Sequence, residues 1–513
     1  MSYLHDRGIN PYDPAALQAL ELPDSLHRLV LARIDQLTER ERATLRVASV
    51  IGRIFPAAWL PGMVPDLGSQ ACVNTDLDQL THLDLTALDA QEPELVYLFK
   101  HIVTQEVAYA SLPHTTQEAL HEQLARWLEG QGREPPPLDL LAYHYNQSAN
   151  HAKRREYLRR AGEAHLAQGN CAAAVASLTA LLALLAPDDE EYATTARMVG
   201  ETYMGLTDYP AAAQALRASA DAARNDTDRA LSYAAQGQLC GLQGDYAGAE
   251  SFLERALRLA QACGDAAIRV RVRFAHAEIA WRYEQGAVME ERFQACRGEA
   301  HRAGDRYHEL AALNGLGLVA LAHAHYDEAE QHFHAVSQGA RAIGNRRLMG
   351  WASGNLGQVA YARGDRVAAR DGCLQSLALA QEIGNQETCI RLDLNLIEID
   401  IDMGHRESAR QELRSALARA QRLGVVPMVH AAVAFFAPLA YAAGDLSRAL
   451  SLYGVVIRHE ATDGETRRYL ERARARWGID EATFAAGVAR GAALDFDTVV
   501  RELLRDEGRV GGI

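Results

Sequence analysis

The 513 residues are 48% hydrophobic and 23% charged, enough for two or more packed units and too apolar for a disordered chain. A net charge of −15 with a pI near 5.7 argues against a general affinity for nucleic acid or anionic lipid, both of which reward clustered Lys and Arg. The seven cysteines are odd in number and scattered, with no CxxC pair, so they read as reduced, small core residues and favour neither a disulfide framework nor a thiolate zinc site. No apolar run reaches about 18 residues, and the N-terminus has no apolar signal region, so the expectation is a cytoplasmic protein.

Residues 1–22 form a lead segment, and 23–133 read as a small domain of helices and a hairpin. LPDSLHRLVLARIDQL offers Asp24 or Ser25 as N-cap and sets Leu26, Leu29, Val30, Ile34 and Leu37 on one face. TERERATLRVASVIG follows, with Thr38 and Glu41 spaced as a capping box and Leu45, Ala48 and Ile51 turned inward. A short helix over PAAWLPGM, another around TDLDQLTHL and two strands, LTALDA and ELVYLF, complete a winged-helix-like pattern. FKHIVTQEVAYASL and TTQEALHEQLARWLE then read as helices, and residues 134–151 as a stiff linker opening on REPPPLD and a first helix.

From 152 to 464 the chain repeats. Glycines stand at 264, 304, 344, 384, 424 and 464, each 40 residues after the last, and a second set of turns runs GDYAGAE at 244, AHYDEAE at 324, GDRVAAR at 364, GHRESAR at 404 and GDLSRAL at 444. Two punctuation marks per period mean two helices per repeat, and looser copies at 169 and 207 bring the total to about eight pairs. Small residues hold fixed columns (Ala249, Ala329, Ala369, Ala409, Ala449; Gly237, Ala277, Gly317, Gly357, Ala437), while Leu253, Phe293, Phe333, Leu413 and Tyr453 fill the spaces between helices. Each period-marking glycine suits a left-handed helix end. Residues 465–513 read as a helical cap.

Two motifs dissolve against this pattern. Gly315–Ala320 matches GxGxxA, yet it lies inside a first helix in register with 355–360 and has no preceding strand. His323, His325, His332 and His334 form HxH pairs whose members leave a helix on different faces, which reads as solvated surface. The sequence also lacks GxxxxGK[ST], and its only lysines, Lys100 and Lys153, lie in no phosphate loop, so the chain is no self-sufficient P-loop ATPase.

The repeats resemble the tetratricopeptide family, lengthened to 40 residues. LPDSLHRLVLARIDQLTERERATLRVASVIGRIF, FKHIVTQEVAYASL and ALHEQLARWLE resemble the winged-helix region that follows the nucleotide-binding module of STAND-type signalling ATPases, a group with bacterial transcription activators and ATPase-linked adenylate or guanylate cyclases. The tail from YGVVIRHEA onward is similar to the C-terminal end of such proteins. The resemblance implies an all-α chain, a winged-helix-like domain followed by a tetratricopeptide-like superhelix. It implies too that His101, at the strand-to-helix junction of FKHIVTQEVAY, senses a nucleotide phosphate supplied by an ATPase module in trans, since the histidine of relatives reaches that phosphate and an imidazole at a helix start can donate to an anion.

The functional expectation is a non-catalytic sensor that binds a peptide, protein or effector in its superhelical groove, with no cofactor, metal or catalytic residue of its own. The alternative is the regulatory portion of a split or truncated STAND ATPase or cyclase. Between Leu22 and Leu112 seven basic residues face twelve acidic ones, the wrong balance for duplex DNA.

Overall fold

The computed structural model describes residues 24–92, 94–132, 135–168, 170–283 and 287–505. The expected lead segment and the last eight residues lie outside these, as do the side chains of Asp24, Ser25, Leu26 and Leu29. The chain is an all-α solenoid with a few short strands, and it divides into two compact units between Ala161 and Gly162.

The first unit begins with α1 (Asp24–Asp35) and α2 (Glu39–Ile51). Thr38 and Glu41 make the full capping box: the Glu41 carboxylate accepts from Thr38 N at 2.9 Å and Thr38 Oγ1 accepts from Glu41 N at 3.3 Å. Leu45, Ala48 and Ile51 are buried as their spacing requires. Strand β1 (Ile54–Pro56), α3 (Trp59–Met63), α4 (Gln70–His82), β2 (Thr86–Ala90) and β3 (Val96–Phe99) follow.

The sequence showed a two-stranded hairpin; the sheet has three antiparallel strands in the order β1-β3-β2. A three-residue strand carries too little alternation to be read. It is fixed by Phe55, wholly buried with its ring 5.5 Å from Phe99 and 6.3 Å from Tyr97, and its Pro56 is tolerated because β1 is an edge. Helices α5 (Ile102–Ala110), α6 (His114–Gly130) and α7 (Leu138–Asn146) complete this unit, and the division falls within α8 (His151–Gln168). Both lysines are committed to ion pairs here, Lys100 with Asp84 and Lys153 with Glu129 at 2.9 Å.

The interior of this unit also holds a histidine pair. His121 Nδ1 lies 2.8 Å from His144 Nδ1, and the Tyr109 hydroxyl is 3.1 Å from His121 Nε2. His144 Nε2 is buried without a hydrogen-bond partner among the described residues. Burial pushes the two rings down, His121 to about 4 and His144, which also faces His121, to about 3.

With α8 the helices pair: α9 (Cys171–Leu182) against it, then α10 (Tyr192–Gly205) with α11 (Tyr209–Ala222), and α12 (Asp226–Leu242) with α13 (Tyr246–Ala262). The strict 40-residue stretch gives α14 (Ala266–Tyr283) with α15 (Ala287–Ala303), α16 (Arg306–Ala322) with α17 (Tyr326–Ala342), and α18 (Arg346–Ala362) with α19 (Arg366–Glu382). It continues as α20 (Gln386–Asp402) with α21 (Arg406–Arg422) and α22 (Val426–Ala442) with α23 (Leu446–Ile457). Then come α24 (Gly464–Ala475), α25 (Glu481–Ala492) and α26 (Phe496–Arg505).

Several pairs in the strict 40-residue stretch are joined to the next by a two-residue device. Gly304 takes φ 70° and ends α15, and Asp305 then caps α16 by accepting from His308 N at 3.0 Å. Gly344–Asn345 and Gly384–Asn385 repeat it. The small columns do what their phase suggests: a Cβ placed on Gly317 would meet the Phe333 ring at 2.6 Å, and one on Gly237 would meet Leu253 at 2.7 Å. The GxGxxA match is part of this packing, since Gly315 lies as close against the Phe293 ring inside α16.

Gly464, the last glycine of the 40-residue series, breaks the pattern. It has no positive φ and ends no helix; it is the first residue of α24, with Asp463 as N-cap. The cause is local: α23 stops at Ile457, after 12 residues where α13, α17, α19 and α21 have 17, and the chain turns inward early. All seven cysteines are free, but only Cys296, Cys373 and Cys389 are fully buried.

Candidate functional site in the lumen of the repeats

Within the second unit the first helices of successive pairs touch one another, α12 with α14, α14 with α16, and α16 with α18, so their outward faces form one concave wall. A cavity of about 380 Å³ lies against it. Its lining comes from α12 (Gln238), α14 (Phe274, Glu278, Trp281, Arg282), α16 (Asn314, Leu318), α18 (Arg347, Trp351, Asn355, Gln358) and α20 (Glu387, Arg391, Asn395).

The wall is unusually polar for an interior. Asn355 Nδ2 donates to Asn314 Oδ1 at 2.8 Å, and Asn355 and Asn395 sit one repeat apart on the same column. A side-chain amide offers both donor and acceptor, as a peptide group does, so a file of them matches an extended backbone. Trp281 and Trp351, both half-buried, add aromatic faces.

An ion relay crosses the lumen. Arg282 of α14 reaches Glu387 of α20 at 3.2 Å, Arg391 reaches the same carboxylate at 2.8 Å, and Arg391 also meets Glu465 at 2.8 Å. Burial alone would raise Glu387, but Arg282 and Arg391 outweigh it and hold the carboxyl below its usual range; Glu465 is depressed in the same way, mainly by Arg391. Glu278 goes the other way, raised by burial beyond the pull of Arg282.

The segment that broke the repeat pattern supplies part of this site. Ala461, Thr462, Asp463, Gly464 and Thr466 are buried, a Cβ on Gly244 would meet Ala461 Cβ at 2.5 Å, and the Arg468 guanidinium lies 4.5 Å from the Trp281 ring. The early end of α23 thus turns a stretch of the C-terminal region into the solenoid's own concavity.

None of the polar and aromatic lumen side chains is marked as a site by the sequence, although a signal is present. Gln238, Glu278, Leu318 and Gln358 share one phase of the 40-residue clock, so a mostly polar column recurs at a fixed position along the cavity wall. His101, the one site residue that was singled out, stands in the first unit as the N-cap of α5, exposed, its ring making no cap bond. Phe99 and Val107 beside it are buried, and Gln105 Nε2 ties α5 to Ser49 O at 2.8 Å. His323, His325 and His334 are exposed and His332 is half-buried; His332 and His334 face Glu328 and Glu330 at 3.6 and 3.7 Å. No helix among the described residues is long and apolar enough to cross a membrane.

No family model and no curated protein matches the chain. Solved structures similar to it include a STAND protein with a tetratricopeptide repeat sensor from Pyrococcus horikoshii, at 12% identity and TM-score 0.48 over 92% of this chain and 68% of that one. NprR in complex with its cognate peptide NprX matches at 13% identity and TM-score 0.47, over 70% of this chain and all of the other. A Rap protein complexed with competence and sporulation factor matches at 13% and 0.48, over 68% and 99%.

Proposed function

We propose that the chain is a non-catalytic, cytoplasmic sensor that holds an extended peptide, or a peptide-like segment of a partner protein, in the lumen of its repeats. The observation that carries this reading is the wall of Asn314, Asn355 and Asn395 amides beside Trp281 and Trp351, in a cavity long enough to be shared by five successive first helices. Amides supply backbone recognition and the indoles supply side-chain contact. Arrays of N-acetylated, C-amidated random hexapeptides, probed with the full chain, test it. A defined set of binders is expected, weakened by Asn355→Ala; an array without binders overturns the reading.

A second reading concerns the first unit. His101 is exposed at the start of α5 with no bond to its own helix end, which suits a winged-helix-like domain that meets a nucleotide held by an ATPase module in trans. On this reading the chain is the regulatory portion of a STAND-type assembly, and it has no nucleotide site of its own. Calorimetry with ADP should give no binding heat for the chain alone, and tight binding would overturn this assignment.

A further inference from the structure

The lumen's charges define one feature of the ligand, an inference that rests on the peptide reading above. Most of these charges are already satisfied. Arg282, Glu387, Arg391 and Glu465 are joined in the relay, and Asp463 is occupied in capping α24, its Oδ1 accepting from Thr466 N at 2.8 Å.

Glu278 is left over. It precedes Arg282 by one helical turn on α14, but that guanidinium is turned to Glu387. No cation among the described residues lies within ion-pair distance of the Glu278 carboxyl; Arg282 and Arg347 act on it only from farther across the cavity, and the Gln238 side chain lies beside it. Phe274 and Trp281 of its own helix, Phe293 of α15 and Trp351 of α18 line the same cavity. A carboxylate away from bulk water costs free energy until a cation joins it, and aromatic faces attract the same kind of group.

We propose that Glu278 anchors a single cationic group of the bound peptide, the ammonium of a lysine or the guanidinium of an arginine. Arg347, on α18, restricts the choice further. It lines the same cavity, has no carboxylate within ion-pair distance among the described residues, and contacts the Tyr307 hydroxyl. A run of basic residues would be repelled there, so the ligand carries one cation at Glu278 and a neutral or acidic residue at Arg347. Burial, with the Glu387 carboxylate nearby, holds the Glu278 carboxyl above its usual range against the pull of Arg282 and Arg347; a cation bound directly to it lowers it, so binding at mildly acidic pH releases a proton.

The hexapeptide array tests this with the full chain and Glu278→Gln. Binders are expected to share one Lys or Arg at a fixed position. For them Glu278→Gln should weaken binding at least about tenfold, while the same peptides with norleucine at that position should bind both proteins equally. Glu278→Asp should keep the preference at reduced affinity, and unchanged circular dichroism verifies folding of each variant. Binders without a shared cation, or an unchanged affinity in Glu278→Gln, overturn the anchor and leave the peptide reading standing. A chain that binds no array peptide overturns both.

Discussion

In the seam between paired helices Gly317 faces Phe333 and Gly237 faces Leu253; one residue further along the same helices, Leu318 and Gln238 face the lumen. The seam sets small against large in most repeats, Cys373 and Ile397 being the departures, because a single added carbon at 317 would come within 2.6 Å of an aromatic ring. The lumen column keeps its spacing and changes its chemistry, running Gln, Glu, Leu, Gln from 238 to 358. What repeats in a solenoid is the part that must interlock, and what departs from the repeat at a fixed phase is free to recognise something.

The largest consequence is for the seam. Phe333 is wholly buried between α16 and its partner α17, so Phe333→Ala should cost about 3–5 kcal/mol through lost burial and the cavity left behind. Glu278→Gln, on the lumen side, removes a carboxylate whose burial costs free energy and should raise the urea midpoint slightly at neutral pH. Equal losses in the two variants would erase the distinction between seam and lumen.

A second contrast separates two ways of hiding polar groups. The lumen pairs opposite charges, whereas the first unit buries His121 and His144 in neutral form. Their folded pKa values lie below the ordinary 6.5, so their contribution is fully present above about pH 6.5 and is lost as pH falls toward 4. By pH 4 the loss should be on the order of 3 kcal/mol for a histidine shifted this far. Urea titrations at pH 7 and 4.5 would register it, and His144→Leu should flatten the pH dependence. His430, stacked on Phe496 and bonded through Nδ1 to Thr462 at 2.9 Å, is likewise pushed down by burial to about 3, so some acid sensitivity should survive in that variant.

Much of this architecture was legible because it is local and periodic. The glycine clock from 264 to 424, the Ala and Gly columns and the Thr38–Glu41 box are set by residues within a few turns of one another, and these are found in place. Strand β1 was missed since three residues cannot display alternation, and its partner β3 lies more than 40 residues on. Gly464 departs for a complementary reason: it keeps the 40-residue spacing, but α23 ends at Ile457, before it. The lumen relay joins residues 105 and 74 positions apart, Arg282 to Glu387 and Arg391 to Glu465, and no local pattern announces such a pairing. The site was therefore the least legible part of the molecule.

The smallest expected effect tests the clock itself. At the turn inside each pair, Gly244, Gly364, Gly404 and Gly444 adopt φ between 80 and 91°, but the repeat at 324 places an alanine there with φ 60°. A side chain in the left-handed region costs about 1 kcal/mol, partly offset because glycine has more backbone freedom to lose on folding. Ala324→Gly should therefore raise stability by roughly 0.5 kcal/mol. The reciprocal change is cleaner: a Cβ on Gly364 would meet nothing within 4 Å, so Gly364→Ala reports the backbone alone and should lower stability by a similar amount. Opposite shifts of the two urea midpoints would show that the turn asks for glycine on conformational grounds; a neutral Gly364→Ala would leave the recurrence of glycine at this phase without that explanation.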